Sequence, residues 1–236
     1  MMNKNAFSEP HKQGVYKAIY ERRDMRHFIA GPVDEQVLSN MLNAFHAGPS
    51  VGYMQPWRII RIKNPEMRQS IHQCVDRERR RTAAEMGKDA ERFMSLKLEG
   101  ILECAEVWAV TLMNERERHL LGRRTMPQMD VASVACAIQN LWLAGRAEGI
   151  GVGWVSIYDP QELADLLNLP SGTETLAILC IGHVDAFYPR PMLQDEGWAE
   201  RGKLTDYVMN EQWEQDKAER SQQQWRDRDA KAHDEE

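Results

Sequence analysis

Apolar positions recur along this chain at two spacings, helical and alternating, and the switches between them mark out the expected elements. Val15, Ala18 and Ile19 share one face of a first helix over 11–22. Asp34 is placed as a cap, and Val37, Leu38, Met41, Leu42 and Phe45 follow at helical intervals until Gly48-Pro49 stops the run. Arg58–Ile62 is a strand candidate. Asn64-Pro65 starts the next helix, with proline at its first position and Met67, Ile71, Cys74 and Val75 as its buried stripe. Residues 82–103 favour helix but are weakly patterned (Met86, Phe93, Met94, Leu96, Leu98), as a mobile lid or a dimer arm would be. Residues 106–113 form a continuous apolar run, a strand expected to be covered on both faces.

Residues 115–127 are polar and irregular, and the longest apolar helix is expected over 130–148. Its first turns are small (Ala132, Ser133, Ala135, Cys136, Ala137), which lets a neighbour approach closely. Gly149-Ile150-Gly151-Val152-Gly153 then reads as a turn leading into a strand at 154–158. A dinucleotide fingerprint needs strand, glycine turn and helix in that order, so this run is not one. Asp159-Pro160 opens a short helix with Leu163, Leu166 and Leu167, residues 175–184 are a second buried strand, and 187–204 are irregular and proline-bearing. Helices and strands alternate without repeat or linker. The fold class is therefore α/β or α+β, one central sheet covered by helices. A single domain over 1–210 and a charged tail over 211–236 are expected.

Charge sharpens the tail and narrows the partners. The chain carries a formal net charge of −6, and residues 211–236, with nine acidic and five basic side chains, account for −4 of it. Such a tail is expected as a frayed helix or a solvated, disordered segment. The balance argues against nucleic acid as the main partner. No run of 18 apolar residues suggests a membrane span, and Met1–Gln13 has no signal or transit pattern, so the cytoplasm is the expected compartment. The four cysteines (Cys74, Cys104, Cys136, Cys180) form no CxxC pair and are expected as buried free thiols. Arg77-Glu78-Arg79-Arg80-Arg81 reads as a helix end in water. The seven histidines lack metal-ligand spacing, and HExxH, GxSxG and Walker motifs are absent.

What remains is a phosphate-type site. In Arg22-Arg23-Asp24-Met25-Arg26-His27-Phe28, an extended backbone puts Arg22, Asp24 and Arg26 on one face. Two guanidiniums there can grip an anion with paired charge-assisted hydrogen bonds, and the carboxylate between them either neutralises an arginine or moves protons. The loop Gly48–Trp57 carries Tyr53, Met54 and Trp57, unusually apolar for a connection in water, and is expected to pack against something flat. Arginines for a phosphate, apolar walls for a ring and hydroxyl or backbone donors for its polar edge suit a phosphorylated planar ligand.

These motifs resemble the nitroreductase-like FMN proteins. That family carries an early Arg-x-Ser-x-Arg/Lys-x-Phe motif and a Pro-Ser-x-x-x-x-Gln-Pro-Trp loop, matched here by Arg22–Phe28 and Pro49–Trp57, with a late Gly182-His183-Val184 segment. Within it, Asp24 in place of the usual serine, Gly151–Ser156 and Arg124–Ser133 are similar to the BluB-type 5,6-dimethylbenzimidazole synthases. The resemblance implies a nitroreductase-like sheet flanked by helices, in an intertwined homodimer with FMN at the interface. It implies reduced FMN and O2 as substrates, fragmented to dimethylbenzimidazole, the lower ligand of vitamin B12, and erythrose 4-phosphate. Asp24 is then a base or proton shuttle and Ser156 a hydroxyl near the reactive ring edge. Arg22, Arg23 and Arg26 hold the phosphate or the pyrimidine carbonyl, and Pro49 and Ser50 contact the ring from the partner chain. Leu98 lines the cofactor, and Arg201, helped by Lys203 or Arg190, reaches the phosphate. A flavin reductase could supply the reduced FMN, so that NAD(P)H would act indirectly. An NAD(P)H-dependent nitro- or quinone reductase is the alternative. A deiodinase-like activity fits less well, because its lid needs a tyrosine and none lies between Thr82 and Glu103.

Overall fold

The computed structural model of the chain describes residues 4–223. Its centre is a four-stranded sheet built from β1 (Trp57–Ile62), β2 (Glu106–Leu112), β3 (Gly151–Val155) and β4 (Glu174–Gly182), in the order β1-β2-β4-β3. Every pairing is antiparallel, which makes the fold α+β. The helices are α1 (Glu9–Glu21), α2 (Glu35–His46), α3 (Pro65–Glu85), α4 (Ala90–Ser95), α5 (Met129–Ala147), α6 (Pro160–Leu166) and α7 (Met192–Asp195), with single 3-10 turns between them.

Period-two alternation divides the core into two layers. Trp108, Val110 and Leu112 of β2 and Leu179 and Ile181 of β4 face α2 and α5, where Leu38, Met41, Phe45, Ile138 and Leu141 meet them. Val107, Ala109, Ile178 and Cys180 face the other way, onto Ile71, Cys74 and Val75 of α3 and Leu163 of α6. Each such side chain, fully removed from water, stabilises the fold by about 1.5–3 kcal/mol. The expected caps close the helix starts. Asp34 Oδ1 accepts from Gln36 N at 2.8 Å, Asn64 Oδ1 from Met67 N at 2.9 Å, and Asp159 Oδ1 from Glu162 N at 2.9 Å.

Several segments depart from their sequence reading or gain detail beyond it. The strand expected at 154–158 begins at Gly151, so two of the glycines lie inside β3 and not in a turn. The arginine cluster 77–81 lies inside α3 and not at its end, with Arg80 on Asp76 at 2.9 Å, while Arg77 pairs with Glu162 and Arg79 turns inward onto the carbonyls of Met94 and Leu96. Residues 82–103 are pinned to α3 by that arginine and by their own small core, in which Phe93 and Leu96 pack with Ala83, Leu98 and Trp198. Cys136 is exposed on α5, whereas the other three thiols are buried. Of the tail, residues 215–223 are helical, with Ala218 buried and Arg220 paired to Asp206 at 2.9 Å. The remainder, 224–236, lies outside the described residues. Among the described residues no helix is long and apolar enough to cross a membrane, and no cluster of side chains has the makeup of a metal site.

Candidate active site

The arginine stretch runs alongside the outer edge of β3. Asp24 bridges Val152 in parallel sense, Met25 N donates to Val152 O at 3.0 Å, and Ile29 N donates to His183 O at 2.9 Å beyond the end of β4. Met25, 1% exposed, is the anchor that plugs this segment into the core. The glycines of β3 make the approach feasible. A Cβ on Gly153 would stand 2.2 Å from Met25 O, and one on Gly151 2.4 Å from Val184 Cγ1. This is a close backbone approach, the physical reason for glycine inside a strand.

With Met25 inward, Arg22, Asp24 and Arg26 emerge together into a cleft of about 800 Å³. That lies within the roughly 300–1,000 Å³ typical of small-molecule sites. Its walls are the end of α1, the arginine stretch, Leu98, Gln139 of α5, and the segment 189–194 with Arg201. Five guanidiniums and one carboxylate line it. Arg190 is neutralised by Asp195 at 2.7 Å, and Arg26 pairs with Asp24. Arg22 lies over the Trp142 ring at 4.5 Å, and Arg201 forms no ion pair among the described residues. Arg23 donates to the carbonyls of Tyr20 and Pro189. The site is therefore cationic. Burial lowers the pKa of Arg22, and the neighbouring Arg23 and Arg201 push it the same way, whereas Asp24 opposes them. An anion entering the cleft would relieve that repulsion.

Asp24 is held at both oxygens. Oδ1 accepts from Trp154 N at 2.9 Å, and Oδ2 accepts from Arg26, which also donates to Trp154 O at 2.8 Å. Burial by the surrounding protein raises the carboxyl pKa, against the opposing pull of Arg26, the Trp154 N–H and Arg22. Yet 41% of its side chain remains open to the cleft, while only 11% of Arg26 is exposed. The result is an oriented carboxyl group with a pKa above the ordinary aspartate value, accessible from one side. Among the described residues, the buried Arg22 Nε, Arg23 Nε and Arg26 Nη1 have no hydrogen-bond partner, so the donor capacity of the three guanidiniums is not exhausted.

Of the residues expected at the site, Arg22, Arg23, Asp24, Arg26, Leu98 and Arg201 meet in this cleft. Pro49 and Ser50 do not. Their loop is docked on the N-terminal turns of α5 through Val51 N to Ser133 Oγ at 3.0 Å, and Ser50 Oγ accepts from Gln55 N. Ser156 is exposed just past β3, two residues beyond the donor to Asp24. Trp142 was missed by the sequence reading. Its ring supports Arg22, and its Nε1 donates to Arg23 O at 3.1 Å. The signal available was a large aromatic in the C-terminal half of a helix whose first turns are small.

The nitroreductase family model matches residues 19–183, which include the cleft's arginine stretch, β3 and the whole sheet. The chain belongs to the nitroreductase family. Within this family, a 5,6-dimethylbenzimidazole synthase of Rhodobacter capsulatus is 37% identical over 82% of this chain and 95% of its own length. Another 5,6-dimethylbenzimidazole synthase, from Rhodospirillum rubrum, is 38% identical over 83% of this chain and 93% of its own. Among solved structures, a BluB-like flavoprotein from Clostridium difficile 630 superposes with a TM-score of 0.64, covering 84% of this chain and 99% of that one. At 18% identity that likeness speaks for the shared nitroreductase fold.

Proposed function

We propose that this nitroreductase-family chain is a 5,6-dimethylbenzimidazole synthase. It fragments reduced FMN with O2 into dimethylbenzimidazole and erythrose 4-phosphate, and so supplies the lower ligand of vitamin B12. The observation that carries the reading is Asp24, a carboxylate with a raised pKa fixed in an otherwise cationic cleft. A reductase that only passes a hydride has no need of a proton-moving acid there. Ring fragmentation requires several proton transfers. The relatives at 37% and 38% identity carry the same activity.

Reduced FMN and O2 bring the oxidative chemistry; the chain binds, orients and moves protons. Arg22, Arg26 and Arg201 hold the phosphate or the pyrimidine edge, with Arg23 fixing the wall behind them. The Trp154 N–H and Arg26 aim the carboxylate of Asp24, which takes and returns protons. Ser156 offers a hydroxyl at the ring edge, and Leu98 covers the ring. Pro49 and Ser50 act on the ring from the partner of a homodimer. Two features support that assignment: their loop stands apart from the cleft in one chain, and α1 buries none of its own residues while exposing Val15, Tyr16, Ile19 and Tyr20. A flavin reductase, using NAD(P)H, supplies the reduced FMN in the cytoplasm.

The test mixes purified protein with chemically reduced FMN, admits air and analyses products by chromatography and mass spectrometry. Dimethylbenzimidazole from the wild type and none from Asp24→Asn is the expected result. Intact FMN in both samples would refute the synthase reading, and NADH-driven reduction of a nitroaromatic or quinone would replace it.

A further inference from the structure

The two walls of the cleft are joined at one side chain to which neither the motifs nor the proposed chemistry assigns a role. Tyr188 lies just before Pro189, at the root of the 189–194 wall. Its hydroxyl oxygen accepts from Arg26 N at 3.2 Å and from His27 N at 3.2 Å, and lies 2.6 Å from His27 Nδ1. The two rings meet edge to face, 6.1 Å apart. One residue on, Pro189 O accepts from Arg23 at 2.9 Å, and one residue back, the Arg146 guanidinium covers the Phe187 ring at 4.3 Å.

Counting donors fixes the proton. A phenol oxygen has one proton and two lone pairs. Two backbone N–H groups occupy the lone pairs, so the short third contact is the hydroxyl donating to a bare Nδ1. In this arrangement the His27 ring proton belongs on Nε2, leaving Nδ1 to accept. The consecutive N–H groups of Arg26 and His27 form a small concave donor pair of the kind that binds an oxygen strongly. Here the oxygen comes from the opposite wall.

We infer that Tyr188 is a positioning residue: its hydroxyl, with His27 as the acceptor of its proton, latches the 189–194 wall onto the backbone that carries Arg26. Arg26 in turn aims Asp24, so the latch sets both the width of the cleft and the aim of the acid. Tyr188 touches no reacting atom; it acts through Arg26 and Pro189. The consequence for ligand binding rests on the flavin reading, whereas the latch itself does not.

The test compares wild type with Tyr188→Phe, which keeps the ring and removes the oxygen, and with His27→Ala, which removes the acceptor and its ring contact but keeps both backbone N–H donors. Amide hydrogen exchange is measured on the full chain without ligand, and oxidised FMN is titrated by its fluorescence. In Tyr188→Phe the amides of Arg26, His27, Arg190 and Met192 exchange faster while those of β2 and β4 keep wild-type protection. FMN binds about tenfold more weakly, the scale expected when a hydrogen bond or two no longer hold the binding groups in place. His27→Ala shows the same pattern at smaller amplitude. Unchanged exchange at Arg26 and His27, or loosening spread evenly over the sheet, overturns the inference. So does loosened exchange with wild-type FMN affinity, since the latch would then not shape the cleft. If the wild type binds no FMN, the flavin reading fails, and the exchange at Arg26 and His27 still decides whether the latch exists.

Discussion

Replacing Gly153 by alanine adds one methyl group beneath the arginine stretch, 3.5 Å from Arg26 Nη1, and should disable the site. The new Cβ would stand 2.2 Å from Met25 O. Carbon and oxygen in tight but real contact stay about 3.3 Å apart, so one backbone must retreat by roughly 1 Å. Met25 cannot absorb this by rotating, because its side chain is buried at 1% exposure and its N–H is bonded to Val152 O at 3.0 Å. The retreat therefore strains that bond and the one from Trp154 N to Asp24 at 2.9 Å. Overpacking costs about 1–3 kcal/mol, and two weakened hydrogen bonds about 1 kcal/mol each, for a loss of about 3–5 kcal/mol. A misplacement of this size lowers turnover by about a hundredfold. The assay pairs thermal unfolding with dimethylbenzimidazole release from reduced FMN. Gly14→Ala is the control: it lies inside α1 with nothing within 4 Å of a Cβ, and should gain about 0.5–1 kcal/mol with normal turnover. A Gly153→Ala protein with wild-type melting and turnover would show that the backbones part without cost, and the packing account of the site would be wrong.

Asp24 has a raised pKa, so its base form is lost as pH falls through a value above the ordinary carboxylate range; the acid limb of turnover should lie there and be absent from residual activity in Asp24→Asn. The same shift has a stability sign: folding free energy declines as pH rises from the ordinary aspartate value to the raised one, and pH-dependent melting of wild type against Asp24→Asn measures it. Arg22→Ala should weaken FMN binding about tenfold or more but riboflavin much less, a difference read by fluorescence titration; equal losses would mean that Arg22 does not serve the phosphate. Asp130, 2% exposed and bonded to Arg116 at 2.9 Å and Arg123 at 3.0 Å, should cost about 3 kcal/mol on substitution by alanine, because Arg123 would lose its counter-charge and Arg116 would keep only Glu174 at 2.6 Å. Burial alone would raise its pKa, yet the Val131 N–H and the two arginines outweigh burial and hold it low. Its stabilising contribution is thus present above the ordinary aspartate pKa and fades as pH falls through the depressed one, which acid unfolding of wild type against variant can show.

How far these features could be read from sequence depends on whether their causes are local. Asp34, Asn64-Pro65 and Asp159-Pro160 mark helix starts because a cap needs only its own next three residues. The apolar runs of β2 and β4 announce strands for the same reason. Gly153 misled because its cause is Met25, more than a hundred residues away, and Gly151 because Val184 crowds it from beyond β4; a glycine that admits a distant neighbour looks in sequence like a glycine in a turn. The face shared by Arg22, Asp24 and Arg26 was legible from alternation alone, since an extended segment obeys it wherever it docks. Trp142 and Tyr188 were not, because each gains its role from a contact across the fold. Pro49 and Ser50 stand away from the cleft for the same kind of reason: their loop is held by Val51 N on Ser133 Oγ, a contact across the fold.

Edges are where sheets meet strangers. β3 is an outermost strand, and an outermost strand presents unpaired amides on which another chain can add. Here the segment carrying the arginines occupies that rim, through the Asp24–Val152 bridge and the Met25 bond. The stretch that lines the cleft with arginines thus also shields the sheet from growing outward. Damage to its docking should appear twice, as lost turnover and as a protein that precipitates. Solubility and chemistry then share one point of failure, and evolution can relax neither without testing the other.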